Sequence, residues 1–404
     1  MSMVALLGQS GATAPPLGWF HDLSEWWLAF YDSWGYTVEN MIVAVILVLT
    51  VWLIWTASRN SFWRDAARRV FLNRRATISF FILCLYLLVA VFDSIRWRDV
   101  ATDESGQPVR RTSGEPVLEG DGLSLLDRLD RGTLELSTME ETTYSAPLAS
   151  NAFTQKSISA KEGGSIHIYP PLNHPGKHLL GTNQVGEDVL YNAIKSVRTG
   201  LIIGGMTTLL AIPFAIFFGI QAGYFGKWVD DGITYVYSTL ASIPYILLII
   251  AFLLTFGQGL FQLCLIMGLT AWTGFCRVIR GEVLKLREMD YVHAARAIGA
   301  GSLKIQFRHI LPNVMHLVVI RAVLMFSGLV LAEAVLSYLN IGVGPGTMSW
   351  GSMINQGRFE LSRQPIIWWN LVAAFVFMFG LVLPANIFGD AVRDALDPRL
   401  RGTE

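Results

Sequence analysis

Charge is scarce in this sequence: Asp, Glu, Lys and Arg make up 15% of its 404 residues, while 52% are hydrophobic. Soluble domains carry about 25% charge, so the chain does not read as a soluble enzyme. Cysteine is scarcer still. Cys84, Cys264 and Cys276 all fall inside apolar runs, where a thiol behaves as a small buried hydrophobe, and they support neither a disulfide framework nor a thiolate metal site. An excess of one sign is missing as well, with 31 basic and 31 acidic residues, so nothing global attracts nucleic acid. No G-x-x-x-x-G-K-S/T loop occurs, and Gly223-Tyr224-Phe225-Gly226-Lys227 has the wrong spacing to cradle a nucleotide. The seven histidines lack H-E-x-x-H or comparable ligand spacing. His167, His174 and His178 cluster in one polar stretch and read as ordinary surface histidines rather than a metal site. Catalytic residues, metal ligands and a resident cofactor are therefore not expected in this chain.

What is present is a set of long uncharged runs: Glu39 to Arg59, Arg75 to Asp93, Arg198 to Lys227, Asp231 to Arg277 and Arg363 to Asp390. Each is long enough to cross a bilayer. The run after Asp231 has 45 uncharged residues; as one helix it would reach about 68 Å against a hydrocarbon core of about 30 Å. It must fold back, and Gly257-Gln258-Gly259 is the natural break. Val314 to Ile341, interrupted only by Arg321 and Glu333, supplies another span. Seven spans are expected. Within them, Gly200-x-x-x-Gly204 and Gly219-x-x-x-Gly223 invite close helix contact, and Pro213, Pro244 and Pro384 are candidate kinks.

Basic residues in the short connections set the orientation. Residues 59–75 hold Arg59, Arg64, Arg68, Arg69, Arg74 and Arg75 against Asp65, and Arg277 to Pro312 holds seven basic and three acidic residues. Both loops are expected in the cytoplasm, together with the tail 390–404. The N-terminus and the segment Asp93 to Gly200, with 11 basic and 15 acidic residues, then lie outside. Residues 1–39 lack the pattern of a secretory signal. Their Trp19, Phe20, Trp26, Trp27 and Trp34 point to an interfacial helix leading into an added span at 40–58. In the external insert, Leu123, Leu125, Leu126 and Leu129 predict one short helix, Ser165 to Tyr169 a brief strand, and the remainder loops that rest on a partner.

The loop from Asp290 to Asn313 has the most distinctive order. A short helix is expected to close at Gly299, since glycine readily takes the left-handed conformation that ends a helix. A second helix, Ser302 to Leu311, is expected to break at Pro312. Two short helices at right angles make a protruding knob, with Ala294, Ala295 and Ile298 as a face small enough to enter a groove on another protein. This resembles the coupling loop of ABC importer permeases, whose signature has Glu-Ala-Ala, a glycine, and Leu-Pro twelve residues beyond it. Ala294 and Ala295 match the alanines, Gly299 the glycine and Leu311-Pro312 the closing pair, while His293 stands where the family usually has Glu.

Further stretches resemble one subfamily, the DppC/OppC-like second permease of dipeptide and oligopeptide importers. They are Gly181 to Leu190, Ala222 to Asp230 with Ser242-Ile243-Pro244, Glu333 to Leu339, Ser349-Trp350-Gly351, and Gly389-Asp390 leading to Arg393 to Arg399. The resemblance implies an all-α polytopic membrane protein: a MetI-like six-helix permease core with one extra N-terminal transmembrane helix and a polar periplasmic insert. Its first core helix is expected at 76–92, the insert and linker at 93–198, and the remaining five helices at 199–389, with the coupling loop at 277–313. It further implies alternating access in a bacterial inner-membrane complex with a second homologous permease, two ABC ATPases that hold ATP and Mg, and a periplasmic substrate-binding protein. The implied substrate is a peptide, with a nickel chelate, glutathione or an opine as alternatives. His293, Ala294, Ala295, Ile298, Gly299, Leu311 and Pro312 are the implied ATPase-coupling residues. Trp350 and Gly351 are the candidate dock for the binding protein. Arg321, costly in lipid, is either a pathway residue or a snorkelling charge. The rival from another class is a self-contained secondary transporter or channel, which would need inverted repeats and intramembrane ionisable pairs.

Overall fold

The computed structural model describes residues 40–41, 55–56, 59, 61–97, 122–159, 165–344 and 346–396. The expected interfacial helix at 1–39, nearly all of the added span at 40–58 and the tail beyond Leu396 lie outside the described residues. The chain divides into two units, one formed by residues 1–50 and 94–124, the other by 51–93 and 125–404. In the first, β1 (Arg96–Trp97) pairs antiparallel with β2 (Leu123–Ser124), and Asn40 both donates to and accepts from the Arg96 backbone.

The second unit is a helical bundle. The basic stretch read as a loop is largely a helix, α1 (Ser61–Leu72). Ala66 and Val70, one turn apart, face inward against Ala391, Ala395 and Leu396, while Arg64, Arg68 and Arg69 face out. Asn73 turns the chain into α2 (Arg74–Ser94), accepting the Arg75 amide. After α3 (Leu125–Thr133) and the antiparallel pair β3 (Lys156–Ser159) and β4 (Ser165–Ile168), the chain enters α4 (Val189–Phe225). It continues through α5 (Lys227–Ser242), α6 (Tyr245–Phe256), α7 (Leu260–Arg287) and the short α8 (Asp290–Ala297). Then come α9 (Ser302–Tyr338), α10 (Trp350–Glu360) and α11 (Trp369–Leu396).

Five of these helices are long and apolar enough to cross a membrane, or six when α5 and α6, bent by 84° at Ile243-Pro244, count as one broken span. The fold-back at Gly257-Gln258-Gly259 separates α6 from α7, and Gly257 has the positive φ of 87° that favours glycine there. Of the three prolines, only Pro244 breaks its helix; α4 and α11 run on through Pro213 and Pro384. Close approach in a bilayer depends on small residues, and the two glycine pairs show it. Gly219 and Gly223 lie against Ile279 and Val283 of α7, Gly200 against the Trp350 ring, and Gly204 against Phe326 and Val330.

Packing gathers the bundle at two ends. At one, Tyr224, Val283, Val292, Ala295, Ile305 and Ile310 form a common apolar cluster beneath the loop 288–301. At the other, Tyr144 of the insert packs with Val189, Trp350, Ile367 and Trp369. The insert residues from Leu125 onward therefore rest at least in part on this chain's own helices. Polar contacts tie them there: the Tyr191 hydroxyl donates to Asp127 at 2.8 Å, and Lys195 bridges Asp127 at 2.7 Å and Asp93 at 2.5 Å.

Candidate functional site

The loop end carries the predicted knob. α8 closes in a Schellman arrangement: the Gly299 amide donates to the Arg296 carbonyl at 3.1 Å and the Ala300 amide to the Ala295 carbonyl at 3.0 Å. Gly299 has φ +82°, and a methyl there would meet nothing within 4 Å, so glycine is required by backbone conformation rather than by space. Ile298 stands at the tip, 85% exposed. His293, Ala294 and Gly299 are exposed around it, as is Pro312 further along.

Two expectations need correction. Ala295 is buried with Val292 and Ile305 in the apolar cluster, so it fastens the knob to the bundle instead of entering a partner. Leu311 is half-buried on the same side. The second short helix does not break at Pro312 either. Its α-turn at Ser302–Ile305 widens to a π-turn at Gln306–Ile310 and continues as Leu311–Tyr338. The π-turn carries the Leu311 amide to the Gln306 carbonyl and brings Pro312 in at the start of the next helical segment, where a missing N–H is tolerated. The knob is thus rooted directly in a long spanning helix.

Charged contacts brace this end. Arg280 grips Asp230 with two bonds, Nε to Oδ1 at 2.5 Å and Nη2 to Oδ2 at 2.7 Å, tying α7 to α5. Arg287 donates to the Gly223 carbonyl at 3.2 Å and to Glu288 at 2.9 Å. That Arg287 bond holds the Glu288 carboxyl below the usual carboxylate range. His293, standing where the family usually has an acid, has Glu288 3.6 Å from its Nε2.

At the insert end, three of the resembling motifs meet as packing. Asp188 caps α4 by accepting the Tyr191 amide at 3.0 Å. Gly186 lies against the Glu141 carbonyl, and Trp369 donates to the Thr182 carbonyl at 2.9 Å. Ser349 and Ser352 form a capping box for α10. Trp350 is 1% exposed, with its indole N–H bonded to the Ala193 carbonyl at 3.0 Å. A methyl on Gly351 would stand 2.6 Å from the Ala334 carbonyl and from Ser337 Cβ. Trp350 and Gly351 are therefore interior residues joining α10 to α4 and α9, and neither is a dock for a binding protein. The buried Glu333 belongs to the same joint, accepting from Ser337 at 2.6 Å.

His178 also departs from the surface reading. It is 1% exposed, with Nδ1 2.9 Å from Asp188 and Nε2 3.6 Å from Glu141. The Asp188 bond holds its pKa above the ordinary histidine value, burial opposes, and the Glu141 charge adds to the rise. Glu141 also accepts the Asn173 and His174 amides at 2.9 and 2.7 Å. The His167 side chain lies outside the described residues. Among the described residues, no group of three or more His, Cys, Asp or Glu side chains is arranged to hold a metal ion. Sequence patterning missed the His178 clamp because its partners are 10 and 37 positions away. Arg321 is exposed on α9 and has no ion pair among the described residues.

Comparison with known proteins gives a consistent result. Residues 211–402 match the family described as binding-protein-dependent transport system inner membrane component. The dipeptide transport system permease protein DppC of Bacillus subtilis (strain 168) is 32% identical over 224 residues, covering 55% of this chain and 69% of that protein. The oligopeptide transport system permease protein OppC of Haemophilus influenzae is 32% identical over 226 residues, 56% of this chain and 72% of that protein. The glutathione transport system permease protein GsiD of Pectobacterium atrosepticum is 31% identical over 252 residues, 62% and 83% of the two chains. Among solved structures, an inward-facing MetNI methionine ABC transporter aligns at 17% identity and a TM-score of 0.43, over 51% of this chain and 97% of that one. With apolar spanning helices, the knob and these relatives together, the chain belongs to the inner membrane components of binding-protein-dependent transport systems, as a multi-pass permease of the DppC/OppC kind.

Proposed function

We propose that this chain is one of two permease subunits of an ABC importer that moves short peptides inward, and that Asp290 to Gly301 transmits the ATPase stroke to its helices. The observation that carries the reading is the construction of the knob. Its tip, Ile298, is 85% exposed, while its root, Val292, Ala295 and Ile305, is buried in the cluster that holds α4, α7 and α9 together. An apolar tip on a rigid base suits a groove on a partner, and a push on it reaches three spanning helices without an intervening flexible linker.

ATP and Mg would be held by two partner ATPases, and this chain would contribute no catalytic group. A second, homologous permease would cover the apolar faces left open on the spans, such as Phe217, Leu254 and Phe375. The basic residues of α1 and of the knob favour a cytoplasmic position for that end, with the insert and the N-terminus in the periplasm; a periplasm-active reporter fused near Ser10 checks this. Peptide is the favoured cargo because several similar relatives are dipeptide or oligopeptide permeases. The GsiD match favours glutathione, itself a peptide, as the second reading.

The test uses the whole complex in proteoliposomes with its binding protein. Gly299→Val puts a β-branched residue at φ +82°, a strain of about 1–3 kcal/mol that displaces the tip. The complex is expected to assemble and hydrolyse ATP while uptake falls at least tenfold. Gly301→Ala, at an ordinary φ of −66° and with nothing within 4 Å, is the matched control. Wild-type uptake in Gly299→Val refutes the coupling role.

A further inference from the structure

A polar cavity of about 430 Å³ lies at the insert end, apart from the knob. It falls within the roughly 300–1,000 Å³ range of small-ligand sites. Tyr144 and Gln184 bound one side; Asn355, Arg358, Glu360 and Arg363, from α10 and the turn after it, bound the other.

The charges in this cavity are incompletely paired. Glu360 is 2% exposed, yet its Oε2 has no hydrogen-bond partner. A buried carboxylate oxygen left so is costly and calls for an explanation. Burial pushes the carboxyl up, opposed by hydrogen bonding from Tyr144 and Asn370 and by the charge of Arg363. At the rim, both arginines are exposed and lean on aromatic rings instead of on acids. The Arg363 guanidinium is 5.2 Å from the Tyr144 ring, and that of Arg358 is 4.8 Å from Tyr338 and 4.5 Å from Phe359. Neither has an ion pair within 4.0 Å among the described residues. A stacked guanidinium is held in place while its N–H edges stay available to a carboxylate. The cavity thus offers a buried carboxyl with one unpartnered oxygen, Oε2, and two positioned cationic donors, with neutral amides between.

We propose that this cavity binds a small zwitterion, seating a free ammonium on Glu360 and a free carboxylate on Arg358 and Arg363, as an unblocked short peptide presents them. The ligand class rests on the peptide reading of the complex; the ammonium seat rests on the unpartnered Glu360 oxygen. Such a site would hold peptide at the outer face of the permease, separate from the binding protein.

The experiment is calorimetric titration of the purified complex, free of nucleotide and binding protein, with dialanine, N-acetyl-dialanine and dialanine amide. Dialanine is expected to bind, and each blocked form to bind at least tenfold more weakly, the usual scale for losing one charge-assisted hydrogen bond. This comparison needs no variant. Glu360→Gln is then expected to weaken dialanine at least tenfold and to erase the difference between it and the acetylated form. Arg363→Gln is expected to shrink the difference between dialanine and its amide. No dialanine binding, equal binding of blocked and unblocked forms, or full discrimination against the acetyl group by Glu360→Gln each overturns the proposal. Normal binding-protein-dependent dipeptide uptake by a complex that shows any of these results removes the cavity proposal alone. A complex that binds dialanine in this manner but imports no dipeptide removes the substrate reading alone.

Discussion

The contact between α4 and α7 gives a sharp test, because the sign of a glycine-to-alanine change should reverse along one helix. A methyl on Gly223 would stand 2.7 Å from Val283 Cβ and 2.9 Å from the Arg280 carbonyl oxygen. On Gly219 it would stand 2.8 Å from Ile279 Cβ and 3.0 Å from the Cys276 carbonyl oxygen. Carbon contacts are comfortable at about 3.5–4.0 Å, so each site is short by roughly 0.7 Å or more. The obstructing atoms are backbone carbonyls and β-carbons, which cannot rotate away, so the helices must part. Overpacking of this kind costs about 1–3 kcal/mol per site, against about 1 kcal/mol gained from alanine's helix propensity. The double variant Gly219→Ala/Gly223→Ala should lose about 2 kcal/mol, roughly a 30-fold shift in the folding equilibrium. Gly205→Ala, on the same helix with nothing within 4 Å, should gain up to about 1 kcal/mol. Titrating the purified complex with SDS and following helix loss by circular dichroism reads both. If the two variants move the midpoint in the same direction, the close-contact reasoning is wrong.

The His178 clamp predicts a pH dependence. Its folded pKa is raised above the unfolded value of about 6.5, so the stabilisation is complete below that pH and is lost as pH rises through the folded pKa. Amide protection factors for residues 172–188 should therefore fall as pH rises above about 6.5, and His178→Gln should abolish that trend; an unchanged trend in the variant refutes the clamp. Trp350 predicts a packing effect without a docking effect. Trp350→Phe should cost about 1–2 kcal/mol by removing the bond to Ala193, and Trp350→Ala about 3–5 kcal/mol by opening a cavity over Gly200. A Trp350→Phe complex of normal stability that no longer binds its binding protein would restore the docking role.

Much of this protein was legible along the chain because lipid imposes a one-dimensional rule. A span must be apolar over its whole length and its ends must be polar. The uncharged runs, the fold-back at Gly257 to Gly259 and the helix end at Gly299 follow from that rule and from glycine's access to positive φ. The motifs carried the family, and the glycine pairs marked where helices touch. Side-chain exposure was not legible. Trp350 and Gly351 were candidates for a dock, which needs exposure, yet α10 packs back and buries them against α4 and α9. Ala295 and Ala294 are adjacent in a motif, but the helical turn places the first inside and the second outside. Pro312 is a helix breaker by local preference, and only the π-turn before it lets the helix continue. The seat of the insert was not legible because it combines a few scattered apolar side chains, such as Tyr144 and Phe153, with polar contacts at the start of α4 through Asp127, Asp188 and His178. Composition and order thus determined that the chain spans a membrane and which family it joins, since hydropathy and backbone conformation act locally. Which residues face a partner, which form the joints, and where Glu360 meets Arg358 and Arg363 was decided only by tertiary packing, because those contacts join segments far apart in the chain.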